Sequence, residues 1–193
     1  MDISDEQLKY LLSLMAGYRD FLVRKAIAEL YMIISAGAAL GGILSLLKLS
    51  FLEQVISILA LLTLLWLGGT IILHAVPPPL RKPRAFPHAL LWFGISVSIM
   101  ATMVLAIVCS FPPWFFPVLI SAHVSTGHVI NMILSRGAPV DHEYLYYAIL
   151  SLLCVPPAIS SPGPFPVYMI SLSIATLAFA LYLVKTANKV FRE

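Results

Sequence analysis

Residues 121–134 read SAHVSTGHVINMIL, and they bring groups capable of chemistry into an otherwise apolar run. Two imidazoles, His123 and His128, stand among the hydroxyls of Ser121, Ser125 and Thr126 and the amide of Asn131. On a helix turning about 100° per residue, Ser121, Ser125, His128, Asn131 and Ser135 share one side. His123 and Thr126 lie on an adjoining side, with His123 roughly 140° from His128 by the same arithmetic. Three chemistries suit this set. Hydroxyls, amides and imidazoles can join helices through hydrogen bonds worth about 0.6 kcal/mol each, reaching about 1–2 kcal/mol. Intramembrane histidines can line a substrate path or relay protons, because a neutral imidazole is cheaper to bury than a permanent charge. Imidazoles also ligate metal or haem, and the further candidates for such a role are His74 and His88.

Other constellations point to less. The run VSTG at 124–127 is similar to the small-residue setting of the serine nucleophile in intramembrane rhomboid proteases. The Gly-x-Ser-Gly order is absent and the last apolar run has no histidine. A serine without a base is not activated, so this protease chemistry is excluded. DHEY at 141–144 follows Pro139 and reads as a helix start, with Asp141 capping and acids at the positive end. Glu29 stands four residues after Lys25 and can pair with it near the membrane interface. No other acid falls inside an apolar run, which argues against carboxylate-driven proton-coupled transport. Cys109 and Cys154 show no metal or disulfide spacing and read as small buried hydrophobes. No phosphate-binding glycine loop or nucleic-acid motif is present, so any ATP hydrolysis must come from another chain.

These groups need helices to hold them, and composition says in what solvent. The chain of 193 residues is 60% hydrophobic and only 11% charged, with a mean hydropathy of +0.95. A soluble domain carries about 25% charged residues, so the bilayer is the solvent. Six apolar runs approach the ~20 residues needed to cross it: 27–47, 55–75, 89–110, 114–135, 144–160 and 166–185. The fifth is short and is interrupted at its outer end by Pro156 and Pro157. Backbone groups in lipid must be satisfied internally, and the runs do not alternate like barrel strands, so the spans are helices.

Orientation follows from the basic residues. With the N-terminus cytoplasmic, eleven of the 12 Lys and Arg fall inside and only Lys48 outside. The inner group includes Arg81, Lys82 and Arg84, Arg136, and the tail residues Lys185, Lys189 and Arg192. Trp114, Phe115 and Phe116 mark the outer boundary, and Tyr144, Tyr146 and Tyr147 the inner one. The first span then acts as an uncleaved signal anchor. Ahead of it, Ser4 and Gln7 form a capping box. Leu8, Leu11, Leu12, Met15, Tyr18 and Leu22 recur at helical spacing, as in an amphipathic helix lying in the headgroup plane or against a partner.

The expected architecture is therefore an all-α polytopic bundle in the cell membrane. It has six transmembrane helices and cytoplasmic N- and C-termini. Residues 1–26 form an amphipathic interfacial helix, 27–185 the membrane domain and 186–193 a short tail. Gly37 and Gly41 form GxxxG, and Gly42 extends the small face, suiting either an internal contact or a homo-oligomer seam. The loop AVPPPLRKPRAFPHA is basic and proline-rich, and Arg81, Lys82 and Arg84 would dock a soluble partner or anionic lipid. The uncharged loop VPPAISSPGPFPVY suits a segment folded back at the membrane edge.

The amphipathic arm, six spans and a basic second loop resemble, in topology, the general plan of export-type ABC permeases. That resemblance implies a transporter subunit energised by a partner ATPase. The proline-rich loop departs from it where those proteins use a short coupling helix. The second expectation is a non-catalytic or haem-binding subunit of a larger membrane complex of respiratory type. The partners expected are the lipid bilayer, other membrane or cytoplasmic subunits or a second copy, and no nucleic acid.

Overall fold

A computed structural model of the chain describes residues 5–47, 85–134 and 140–190. Among them all regular structure is helical. The helices are α1 (Asp5–Leu46), α2 (Ala85–Val108), α3 (Phe115–Leu134), α4 (Asp141–Leu153), α5 (Val155–Ile159) and α6 (Pro164–Val190). Four of them are long and apolar enough to cross a membrane: α1, Leu90–Val108 of α2, α3, and Pro164–Lys189 of α6. The chain is a membrane-embedded helical protein. The expected second span at 55–75, and with it Lys48, His74, Arg81, Lys82 and Arg84, lies outside the described residues, as do Ser135 and Arg136.

The arm and the first span are one helix. α1 runs 42 residues from Asp5 to Leu46, with no break at the boundary expected near residue 26. At 1.5 Å per residue it is about 63 Å long, roughly twice the hydrocarbon thickness of a bilayer. Acids Asp5 and Glu6 occupy its positive first turn. α6 likewise runs past the expected end of its span, to Val190.

The apolar run expected as a fifth span is divided, as its prolines foreshadow. α4 ends at Leu153, Cys154 follows it, and α5 holds Pro156 at its start. Proline has no N–H to continue the ladder and crowds the preceding turn. The 13 residues of α4 measure about 20 Å, short of the ~30 Å hydrocarbon core. The chain nevertheless stays packed here, since Cys154 and Ala158 are buried.

α2 ends in a left-handed cap made by a serine. Ser110 has φ 56°. The Phe111 N–H reaches the Ala106 carbonyl at 2.8 Å and the Ser110 N–H the Ile107 carbonyl at 3.0 Å. That is the paired closure in which a left-handed residue satisfies the last helical carbonyls. Phe111 then stacks on Phe115 at 4.6 Å between centroids, and Trp114 meets Phe115 edge-on, at the outer aromatic boundary expected for this turn.

α1 and α6 form the main antiparallel pair. Ser35 and Ser173 exchange hydroxyl-to-carbonyl bonds of 2.8 and 2.9 Å. Gly42 sits against α6 so closely that a Cβ there would lie 3.1 Å from Ile170 Cγ1 and 3.3 Å from Met169 Cβ. Gly37, Ala38 and Gly42 are buried. The small face of the first span thus makes an internal contact with α6, of the two uses its sequence allows. Ala28, Tyr31, Tyr147, Tyr168, Leu172, Phe179 and Leu183 fill the core beside this pair. Tyr147 is 1% exposed, which corrects its expected place in the inner aromatic belt. Tyr146, 53% exposed, does face outward. Successive tyrosines on one helix point 100° apart, so a run of them cannot all lie at an interface.

Candidate functional site

α3 is polar on the side that faces the other helices. Ser121, Ser125, His128 and Asn131 are all buried, as their shared side requires. His123 is half-buried and Thr126 exposed, so Thr126 does not join the cluster.

The serines tie α3 to α4. Ser121 Oγ donates to the Ser151 carbonyl at 2.9 Å, and Ser125 Oγ donates to the Ala148 carbonyl at 3.0 Å. The Ser125 and Ser151 hydroxyls also meet at 2.8 Å. Small residues allow this close approach, and the hydroxyls find acceptors that lipid cannot offer.

His128 occupies the point where five helices converge. Its Nδ1 lies 2.7 Å from the Val124 carbonyl, which can only accept, so Nδ1 carries the hydrogen. Its Nε2 then accepts from the Tyr31 hydroxyl of α1 at 2.6 Å. Trp92 of α2 packs edge-on at 4.7 Å between centroids and Tyr147 of α4 lies at 4.5 Å, with Tyr144 at 6.2 Å. Behind them, Phe179 of α6 touches Tyr31 and Tyr147. The Tyr147 hydroxyl meets Thr176 Oγ1 at 2.6 Å, and Thr176 donates to the Leu172 carbonyl. His128 is 3% exposed. The imidazole is therefore fully hydrogen-bonded inside an aromatic cage.

His123 repeats the pattern against α2. Its Nδ1 faces the Leu119 carbonyl at 2.8 Å and its Nε2 the Ser98 hydroxyl at 2.9 Å. Both histidines thus have each ring nitrogen engaged. A haem iron or metal at Nε2 of either would have to displace a hydroxyl donor. No group of three or more His, Cys, Asp or Glu suited to a metal occurs among the described residues. The remaining haem candidates are not brought to the site: His74 lies outside the described residues, and of His88 only the helical backbone of α2 is described.

A second polar junction lies toward the far end of the bundle. Arg24 of α1 forms an ion pair with Glu143 of α4 and donates to Thr186 Oγ1 of α6 at 3.3 Å. Both charged side chains are mostly buried, at 16% and 11% exposure. α4 begins at Asp141, as DHEY leads one to expect, and Glu143 stands in its first turn. The cap residue, however, is Val140, without a side-chain cap bond, in place of Asp141, and Glu143 also pairs across to α1. Lys25 and Glu29 are exposed and form no ion pair with each other among the described residues. Of the cysteines, Cys154 is buried and donates to the Leu150 carbonyl, while Cys109 is exposed.

Tyr31, Trp92, Tyr147, Thr176 and Ser151 were not legible as site residues. The available signal was faint: Tyr31 and Ser35 are a polar pair one helical turn apart in an apolar run. Gly127 has a clear purpose in hindsight. A Cβ there would lie 3.2 Å from Trp92 Cη2 and Cζ3 and 3.3 Å from Ile95 Cγ1. Gly127→Ala should push Trp92 off His128 and cost about 1–3 kcal/mol, as overpacking does. Trp92 fluorescence and thermal unfolding in detergent would report it, and an unshifted emission with unchanged stability would refute it. No family model, no curated protein and no solved structure matches this chain.

Proposed function

We propose that this chain is a membrane-embedded subunit of a larger assembly, and that the assembly is a transporter energised by a separate chain. The whole chain then crosses the membrane six times with both termini in the cytoplasm. The observation that supports a subunit role is the amino-terminal part of α1. Leu8, Leu11, Leu12, Met15 and Tyr18 are 47–67% exposed. They precede Arg24, which lies level with Thr186 near the end of α6. Apolar residues repeated at this spacing on a helix that outruns its neighbour α6 among the described residues suit an attachment surface. The basic loop with Arg81, Lys82 and Arg84 suits a cytoplasmic ATPase.

The second reading is a non-transporting component of a membrane complex. It is favoured by the inward pairing of Ser121, Ser125, His123 and His128, which uses up the donors and acceptors that a path would present. Purifying the intact protein from its native membranes in mild detergent separates the two. A stoichiometric ATPase is the expected companion. Redox subunits, or a coloured preparation, would overturn the transporter reading in favour of the second.

A further inference from the structure

We propose that the Tyr168 hydroxyl of α6 holds a buried water molecule that ties α6 to α3 and α4. Tyr168 is fully buried. Its hydroxyl is the one buried side-chain oxygen or nitrogen without a hydrogen-bond partner among the described residues. A buried hydroxyl left in that state is costly. In folded proteins such groups are paired with protein or with ordered water.

The groups around Tyr168 can only accept. Its polar neighbours are Ser121, Tyr147 and Cys154. Ser121 Oγ gives its hydrogen to the Ser151 carbonyl. Cys154 Sγ gives its own to the Leu150 carbonyl. Thr176 donates to the Leu172 carbonyl, so the Tyr147 hydroxyl must donate to Thr176 Oγ1. Each neighbour is left with lone pairs and no hydrogen to give. Tyr168 has a hydrogen to give but reaches none of them in bonding geometry. One water completes the set. It accepts from the Tyr168 hydroxyl and donates its two hydrogens to two of these groups, Ser121 Oγ before Cys154 Sγ, since sulfur is a weak acceptor. That is the set of about three hydrogen bonds that a buried water typically makes.

The site lies near the end of the bundle at which α3 and α6 begin. Tyr168 stands about 6 Å along α6 from Pro164, and Ser121 about 9 Å along α3 from Phe115. Cys154 borders it where α4 gives way to α5. Deeper in, the Ser125 and Ser151 hydroxyls continue the polar contact, and His128 follows about 10 Å beyond Ser121 on α3. A cation is the weaker occupant. None of the polar neighbours is charged, and Tyr168 turns to them a hydrogen where a hard cation needs oxygen lone pairs. Such a joint serves a transporter subunit and a packing subunit alike.

X-ray radiolytic labelling of the full chain in lipid nanodiscs, read by mass spectrometry, tests the site. Radiolysis turns water into hydroxyl radical, which oxidises a buried ring where a water lies against it. Tyr31 is the dry control, because it is buried and its hydroxyl pairs with His128. Tyr168 should be labelled several-fold faster than Tyr31. In Tyr168→Phe the rate at position 168 should fall to that of Tyr31. The unfolding midpoint of that variant should drop by about 2–4 °C, since a water-mediated bond stabilises nearly as well as a direct one. A Tyr168 labelled no faster than Tyr31 overturns the proposal. The midpoint then says why: a rise in Tyr168→Phe means a stranded hydroxyl with no water, and a drop means a direct bond to Ser121. Label that survives Tyr168→Phe, or a midpoint that does not fall, overturns it too, because the hydroxyl would then not be what holds the water in place.

Discussion

Arg24→Ala should cost about 3–5 kcal/mol, among the largest losses open to any single side chain in this protein. The reason is what it leaves behind. Arg24 joins three helices by pairing with Glu143 of α4 and donating to Thr186 of α6. Glu143 is 8% exposed. Without the guanidinium, its carboxylate stays buried opposite an apolar truncation, or the helices part to admit water. Removing both charges is a different experiment. Arg24→Met with Glu143→Leu replaces the pair by apolar groups of similar length, and such replacements are often neutral. Both Arg24 bonds leave one nitrogen, Nη1, so Arg24→Lys keeps the charge and should lose less than Arg24→Ala, to the extent that the shorter stem brings its ammonium to the same point. Thermal or denaturant unfolding in detergent, run as a double-mutant cycle, measures the coupling. A single Arg24→Ala variant as stable as the parent would show that the junction holds nothing together.

This junction also shows what sequence patterns can and cannot deliver here. Hydropathy finds the membrane helices because lipid imposes length and apolarity on each one separately. The runs at 89–110, 114–135 and 166–185 correspond to α2, α3 and α6 within a few residues. The break in the fifth run was legible in Pro156 and Pro157, since proline acts locally. The buried side of α3 was legible too, because helical geometry alone puts Ser121, Ser125, His128 and Asn131 together. Partners across helices were not. Glu143 pairs with a residue 119 positions away, and nothing in DHEY shows that this acid of the first turn also faces another helix. Tyr147 and Tyr146 are neighbours with opposite fates, which only the packing of α4 decides. The continuity of α1 through residue 26 was hidden by a change of composition from charged to apolar, which alters the solvent around a helix without ending it.

His128→Ala should be the second large effect, at about 3–5 kcal/mol, the cost of truncating a buried ring. The loss has two separable parts. One is the space among Trp92, Tyr31 and Tyr147, whose rings now rest on the imidazole. The other is the Tyr31 hydroxyl, which donates to Nε2 and would be stranded with no acceptor, a penalty of about 1–3 kcal/mol. His128→Phe keeps the ring and strands the hydroxyl. Tyr31→Phe keeps the ring and removes the donor, leaving Nε2 unsatisfied. The pair Tyr31→Phe with His128→Phe removes both polar groups and should recover most of what either single change loses, if the bond is glue. A proton or substrate path predicts otherwise: the double variant would be stable but unable to support flux, because an apolar cage cannot pass a proton. Measuring stability and flux on the same four proteins therefore decides what the polar helix is for. Recovery of both assigns His128 to packing. Recovery of stability alone assigns it to the path, and the inward hydrogen bonds would then be the resting state of a site that opens.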